Sequence, residues 1–376
     1  MSELGGLLEL LHGAGRFRTV RAEVETWRHH HRAAQAFEAM ARRGGAVVYA
    51  GAGDSSQRPE TSVSRARLWL EPPDRARVER EDHIALRDRE KLWIWSKDWG
   101  TRTNVGGDHE VSTSVANEFM PLLVPARVMG LLEWQPEGRV GDRVRARARP
   151  LPPFGGQDDH ASWELHGIGG GADEYLFELD AASGVVRRVE ARFAGQPFET
   201  HELTELAIDE PIPPATWVFE APDGAAPEPF EPPRLDMAIG DVVEQASFTV
   251  LAPARVADDW RLRASYIPAR ARPPIGEHVA LFYRSDNGTA SVNIGESLPA
   301  DADAELLRAD GWSEDERDGI SFRIRRRSAS WPQPQLYIER DGTAVMMSSD
   351  TLSNDDLIAL ALSLRPVTGG SALGES

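Results

Sequence analysis

Cysteine is absent from all 376 residues. That excludes a disulfide, a thiol nucleophile and a thiolate metal site. Lysine is almost absent too, occurring only at Lys91 and Lys97, so nearly all positive charge is arginine. No stretch approaches the roughly 18 apolar residues of a membrane-crossing helix. The start, MSELGGLLELLHGAGRF, has no basic segment ahead of its apolar run: Glu3 precedes the run, Glu9 interrupts it, and Arg16 is the first arginine. This departs from a secretory signal and predicts a short amphipathic helix in a cytoplasmic chain. The formal net charge of −18 argues against nucleic acid and anionic lipid as partners, because both are polyanions. No GxSxG elbow and no HExxH pair occurs. The chain reads as a non-enzyme without a cofactor.

Apolar residues make up 41% and charged residues 27%, values of an ordinary globular chain. The length predicts two domains. FRTVRAEVETW at 17–27 alternates as a strand. HHHRAAQAFEAMARRGG reads as a helix with Ala34, Phe37, Met40 and Ala41 on one stripe. AVVYA at 46–50 is a short strand. From Val63 short strands dominate: two around the turn Glu71–Asp74, three more within 84–105, then 138–148, 162–167, 174–179, 184–193 and 198–208. Val111–Leu132 reads as helices broken at Pro121 and Pro125. Such a series of antiparallel strands indicates a large sheet or open barrel.

Eight prolines fall within 209–233, which reads as a linker. The predicted organisation is a first domain over 1–221, a linker over 222–240, a small α+β domain over 241–367 and a disordered tail over 368–376. The second domain has strands at 248–251, 261–267, 278–285 and 290–296, and a hairpin turning at Asp341-Gly342. It closes with a helix that Ser353 and Asp356 cap; Leu357, Ile358, Ala361 and Leu364 form its apolar stripe.

Several motifs have plain structural explanations. His29-His30-His31 are consecutive and diverge in any regular element, so they form a solvated helix start rather than a metal site. GIGGGA at 167–172 precedes a strand, not the helix that a phosphate loop needs. Asp158-Asp159 and Asp355-Asp356 are adjacent rather than convergent. The acidic stretch 301–318 reads as a solvated helix face, and Arg323–Arg327 as outward arginines on a strand. Tryptophan is more informative. Trp69, Trp93, Trp95, Trp99 and Trp134 all fall in the first domain, and Trp93 and Trp95 share one side of a strand. That surface needs a cover, and both a ligand cavity and a packed core satisfy the need.

RLWLEPPDRARVERED, REKLWIWSKDWG and LFELDAASGVVRRVEARFAGQPFETHELTELAIDEPIPPATWVFEAP resemble the bacterial lipoprotein-carrier superfamily of LolA/LolB-like carriers and RseB-like sensor domains. The shared features are a Pro-Pro-Asp-Arg turn, a tryptophan-bearing strand pair, a hairpin turn from Asp180 to Gly184, and an ending of Pro211-Ile212-Pro213 and Phe219. The resemblance spans about 16–222. It implies an incomplete antiparallel β-barrel, lidded by helices over an apolar face that takes a lipid, an acyl chain or a lipoprotein. Expected cavity-lining residues are Trp69, Trp93, Trp95, Phe177 and Phe193. VALFYRS, LYIERDGTAVMMSS and TLSNDDLIALALSL resemble a small domain of bacterial anti-sigma and sporulation-associated proteins. The fold class implied is α+β throughout. The function implied is binding of a hydrophobic ligand, or alternatively a regulatory protein–protein module of envelope-stress signalling.

Overall fold

In the computed structural model, residues 2–42, 59–106, 115–151, 164–254, 256, 259–269, 276–302, 311–326, 333–349 and 351–367 are described. The chain divides into two units, one ending at Pro229 and the other beginning at Phe230.

The first unit is built on a twelve-stranded sheet. In chain order its strands are β1 (Val20–His29), β2 (Thr61–Glu71), β3 (Arg75–Glu79), β4 (His83–Asp88), β5 (Lys91–Ser96), β6 (Gly100–Thr103), β7 (Leu132–Val140), β8 (Arg143–Pro150), β9 (Glu174–Asp180), β10 (Val186–Phe193), β11 (Gln196–Ile208) and β12 (Glu228–Pro229). Their spatial order is β12-β6-β5-β4-β3-β2-β1-β11-β10-β9-β8-β7. All neighbours are antiparallel except β12, which joins β6 in parallel through Glu228 and Pro229. The outermost strands β7 and β12 do not pair, so the sheet is open rather than closed into a barrel. Period-2 alternation drives this pairing, because alternate side chains of each strand go to opposite faces. In β1 the buried side carries Val20, Ala22 and Val24; in β9 it carries Tyr175, Phe177 and Leu179.

Short helices lie beside the sheet: α1 (Glu3–Gly13), α2 (His30–Arg42), α3 (Met120–Leu123) and α4 (Ala126–Met129). Ser2 caps α1, accepting from Gly5 N at 3.1 Å. Pro121 and Pro125 fragment the segment after residue 115 into a 3₁₀ turn and two single-turn helices, as proline requires. Strand structure resumes at Leu132, so Trp134 belongs to β7.

Several expectations change. Among the described side chains of α2 the buried ones are Ala33 and Ala36, one residue before the expected positions Ala34 and Phe37, and Ala34 is exposed. His29 ends β1 and is buried; only from His30 does the chain become helical. Glu164–His166 form a helical turn instead of a strand. Ser313–Arg317, expected on a helix face, form a strand. AVVYA and Asp158-Asp159 lie outside the described residues.

The second unit holds an eight-stranded sheet. Its strands are β13 (Arg234–Met237), β15 (Trp260–Ile267), β16 (His278–Ser285), β17 (Ser291–Ser297), β18 (Ser313–Arg317), β19 (Ile320–Arg325), β20 (Gln335–Arg340) and β21 (Thr343–Ser348), in the order β13-β15-β16-β17-β21-β20-β19-β18. A ribbon pairs β14 (Leu251–Pro253) with β22 (Leu364–Pro366). The expected C-terminal helix is Asn354–Leu362, and the Ser353 hydroxyl accepts from Asp356 N at 3.1 Å. Leu357, Ile358 and Ala361 face the core as expected, but Leu364 has already left the helix for β22 and is buried from there. With Val242 of the helix Ile239–Gln245, these residues cover Leu281, Ile294, Ile324 and Met347 on one face of the sheet.

Candidate functional site

The two faces of the first sheet differ in chemistry. On one, Leu68, Val78 and Ala85 stand side by side across β2–β4. The same face continues on the other side of β1 as Val189, Phe177 and Ala146 of β10, β9 and β8. Its cover is helical. Leu7 and Leu11 of α1, Phe119, Leu122 and Leu123 around α3, and Val128 of α4 are all buried. α3 packs on β10, while α1 packs on α4 and β7. The interior is filled: Tyr175, Phe177, Leu179, Val189 and Ala191 are at most 1% exposed. Trp134 meets Phe177 at 4.7 Å between ring centroids, and its Nε1 donates to the Met129 carbonyl at 3.1 Å.

The opposite face carries arginine–carboxylate ladders. Arg143 and Arg145 pair with Glu178, Arg147 and Arg149 with Glu174, and Arg188 and Arg192 with Glu190. These pairs are cross-strand or two residues apart, where side chains on one face meet.

The five residues expected to line a cavity do not come together. Phe177 is fully buried on the covered face, and Phe193 is half-buried near the end of β10. Trp69, Arg77, Leu86 and Trp93 form a row on the other face. Trp95 shares the Trp93 side of β5. The cover there is the proline-rich stretch expected as a linker. Phe219 stacks on Trp93 at 6.1 Å with planes 6° apart, and Trp217 is buried with Arg75 5.8 Å over its ring. Arg77 donates to the carbonyls of Thr216 and Val218 at 2.7 and 3.0 Å. Trp95 Nε1 donates to Asp223 at 3.3 Å. The strap joins the ladder further on, at Glu228 and Pro229 of β12; over the tryptophans it is held by side chains instead. The alternation of LWIW placed both tryptophans on one side, but no local signal said which.

Sequence reasoning missed a polar group on the covered face. Glu199 and His201 of β11 are buried, and His201 Nε2 lies 2.8 Å from Glu199 Oε1. Thr26 Oγ1 is 3.1 Å from His201 Nδ1, and Arg28 Nε is 3.2 Å from Glu199 Oε2. Burial by itself would raise the Glu199 carboxyl. The His201 hydrogen bond, with the charges of His201, Arg28 and His166, outweighs it and holds the group below the usual carboxylate range. Burial pushes His166 below the ordinary histidine value. Arg28 and His201 offset the Glu199 charge, while Arg28 Nε is buried without a well-formed hydrogen bond. The alternation THEL carries its signal, because His201 and Leu203 then face inward together. Among the described residues, no group of three or more His, Asp or Glu could hold a metal ion, and no helix is long and apolar enough to cross a membrane.

The turn 167–172 is packed rather than open. A Cβ at Gly171, which has φ +89°, would lie 2.6 Å from the Ala36 carbonyl oxygen of α2. Glycine is required there for both conformation and space.

No protein-family model matches the chain, and no curated protein matches it. Among solved structures the chain is similar to MucB, at 13% identity and a TM-score of 0.34, with 96% of this chain and 98% of that chain covered. It is similar to a LolA superfamily protein from Nitrosomonas europaea at 6% identity and a TM-score of 0.24, over 58% of this chain and 98% of that one. A putative outer membrane lipoprotein-sorting protein domain from Vibrio parahaemolyticus is similar at 9% identity and a TM-score of 0.24, over 57% and 95%.

Proposed function

We propose that the first unit is a non-enzymatic binding module for a lipid, an acyl chain or the acylated end of a protein. One observation carries this reading. An apolar sheet face spanning most of the strands is covered by helices, two of them a single turn long, and not by a second sheet. Side chains of such pieces, Phe119, Leu122 and Leu123 among them, are buried against that face, and in this reading an acyl chain takes their place. The structure is then the closed form, and a ligand enters as the helical cover lifts. Burial of apolar ligand surface favours binding by ~25 cal/mol per Å². The cost of displacing the cover is subtracted from that gain.

Native mass spectrometry of the purified chain, with titration of a fluorescent fatty acid, tests the reading. The expected result is a bound lipid mass, or saturable fatty-acid binding that Leu122→Asp on α3 weakens. No lipid and no saturable binding would remove this function. A regulatory protein–protein module is the second reading, favoured by the filled interior around Tyr175 and Phe177. Co-purification of a defined anti-sigma factor with lipid-free protein would favour it over the first.

A further inference from the structure

β19 and β20 separate partway along their length. Their ladder runs through Arg325–Gln335, Ile324–Leu336 and Arg323–Tyr337 and stops there. Continuing the register would pair Phe322 with Ile338, Ser321 with Glu339 and Ile320 with Arg340. None of these pairs forms, although both strands persist. Residues 320–322 stay paired to β18 on their far side, and 338–340 stay paired to β21 on theirs. The hairpin β18–β19 thus diverges from the sheet, leaving a groove of about 1050 Å³ between it and β20. Backbone N–H and C=O groups pointing into this gap have no ladder partner, the condition that invites an added strand.

The side chains around the gap specify chemistry. On one face of these strands stand Glu314, Glu316 and Glu339, with Arg323 as the cation and already paired with Glu314 at 3.5 Å. On the other face stand Ile320, Phe322 and Ile338, with Asp315 and Arg340 at the same parity; Phe322 and Ile338 belong to the core beneath the C-terminal helix and Ile320 packs against it. Successive side chains of an extended segment alternate between faces. A segment alternating basic and apolar residues would place its cations against the three carboxylates and its apolar groups against the core.

We propose that the open ladder between β19 and β20 is a docking site for an extended peptide segment of alternating basic and apolar residues, received by strand addition. The site lies in the second unit and is independent of the ligand proposed for the first.

Fluorescence anisotropy with a fluorescein-labelled peptide alternating lysine and valine over about seven residues tests this on the full chain. Saturable binding with Kd below roughly 1 mM is expected. The combined substitution Glu314→Lys, Glu316→Lys and Glu339→Lys should weaken it at least ~10-fold. Circular dichroism and thermal melting of that variant verify its fold. The same peptide N-methylated on alternate amides should not bind, because it cannot supply ladder donors. Hydrogen exchange should slow at residues 320–322 and 338–340 on peptide addition. Absence of saturable binding to the parent chain would overturn the proposal. So would equal binding by the N-methylated peptide, unchanged affinity of the charge-reversed variant, or protection confined to other strands.

Discussion

Glu296 sits fully buried in the core of the second unit, with no cation paired to it among the described residues. Leu251 N donates to its two oxygens at 3.0 and 3.3 Å. Burial pushes the carboxyl up to about 8, and the Leu251 N–H opposes this only in part. Folded chain therefore keeps the proton well above the pH at which the unfolded carboxyl, near 4.5, loses it. Across that window the unfolded state binds fewer protons, so stability falls as pH rises. Glu296→Gln removes the titration while keeping the shape. Urea denaturation is expected to show parent and variant closest near pH 5, with the variant more stable by a few kcal/mol at pH 8. Equal pH dependence of the two would show that Glu296 does not titrate in that range. Glu199 is the opposite case: His201 and Arg28 depress it, so its contribution is present above the unfolded carboxylate value and lost as pH falls.

At the scale of elements, hairpin β9–β10 shows how local pattern and tertiary detail combine. EYLFEL alternates cleanly, and Tyr175, Phe177 and Leu179 face inward as that pattern predicts. On the partner strand Arg187 falls on the apolar parity. The structure resolves this with a bulge between Val186 and Arg188, which takes Arg187 out of the ladder and into contact with Asp180 at 2.9 Å. Asp180 also accepts from Ser183 N at 2.9 Å, and Gly184, with φ +73°, makes the turn. The turn 167–172 is the equivalent lock between α2 and the sheet. Gly171→Ala would put a Cβ against the Ala36 backbone at a φ that alanine resists. The expected loss is at least ~2 kcal/mol in denaturant unfolding. A loss below about 0.5 kcal/mol would mean α2 shifts freely to make room.

Across the whole molecule, each unit has its own sheet and its own buried core. The core of the second unit is built entirely from residues after Pro229. Residues 230–376 expressed alone are therefore expected to unfold cooperatively, with a sigmoidal urea transition followed by tryptophan fluorescence of Trp260, Trp312 and Trp331. A non-cooperative, drifting signal would mean that this core needs the first unit.

Much was determined by the chain in one dimension. Strand spacing and alternation specified a large antiparallel sheet, the inward side of β1 and β9, and the capped C-terminal helix, because each depends on residues a few positions apart. Absent cysteine excluded whole classes of site. Tertiary structure decided what covers each face, since alternation says that two residues share a side but not which side meets helices. It placed Trp69, Trp93 and Trp95 opposite Phe177 and folded the proline-rich strap over the tryptophans. It gathered Thr26, Arg28, Glu199 and His201 into one cluster, although 175 residues separate Thr26 from His201. It also left the ladder between β19 and β20 open, which no pairing preference of ISFRIR or QLYIER foretold. Burial and long-range pairing are settled by competition among all surfaces at once, and a local pattern enters that competition without deciding it.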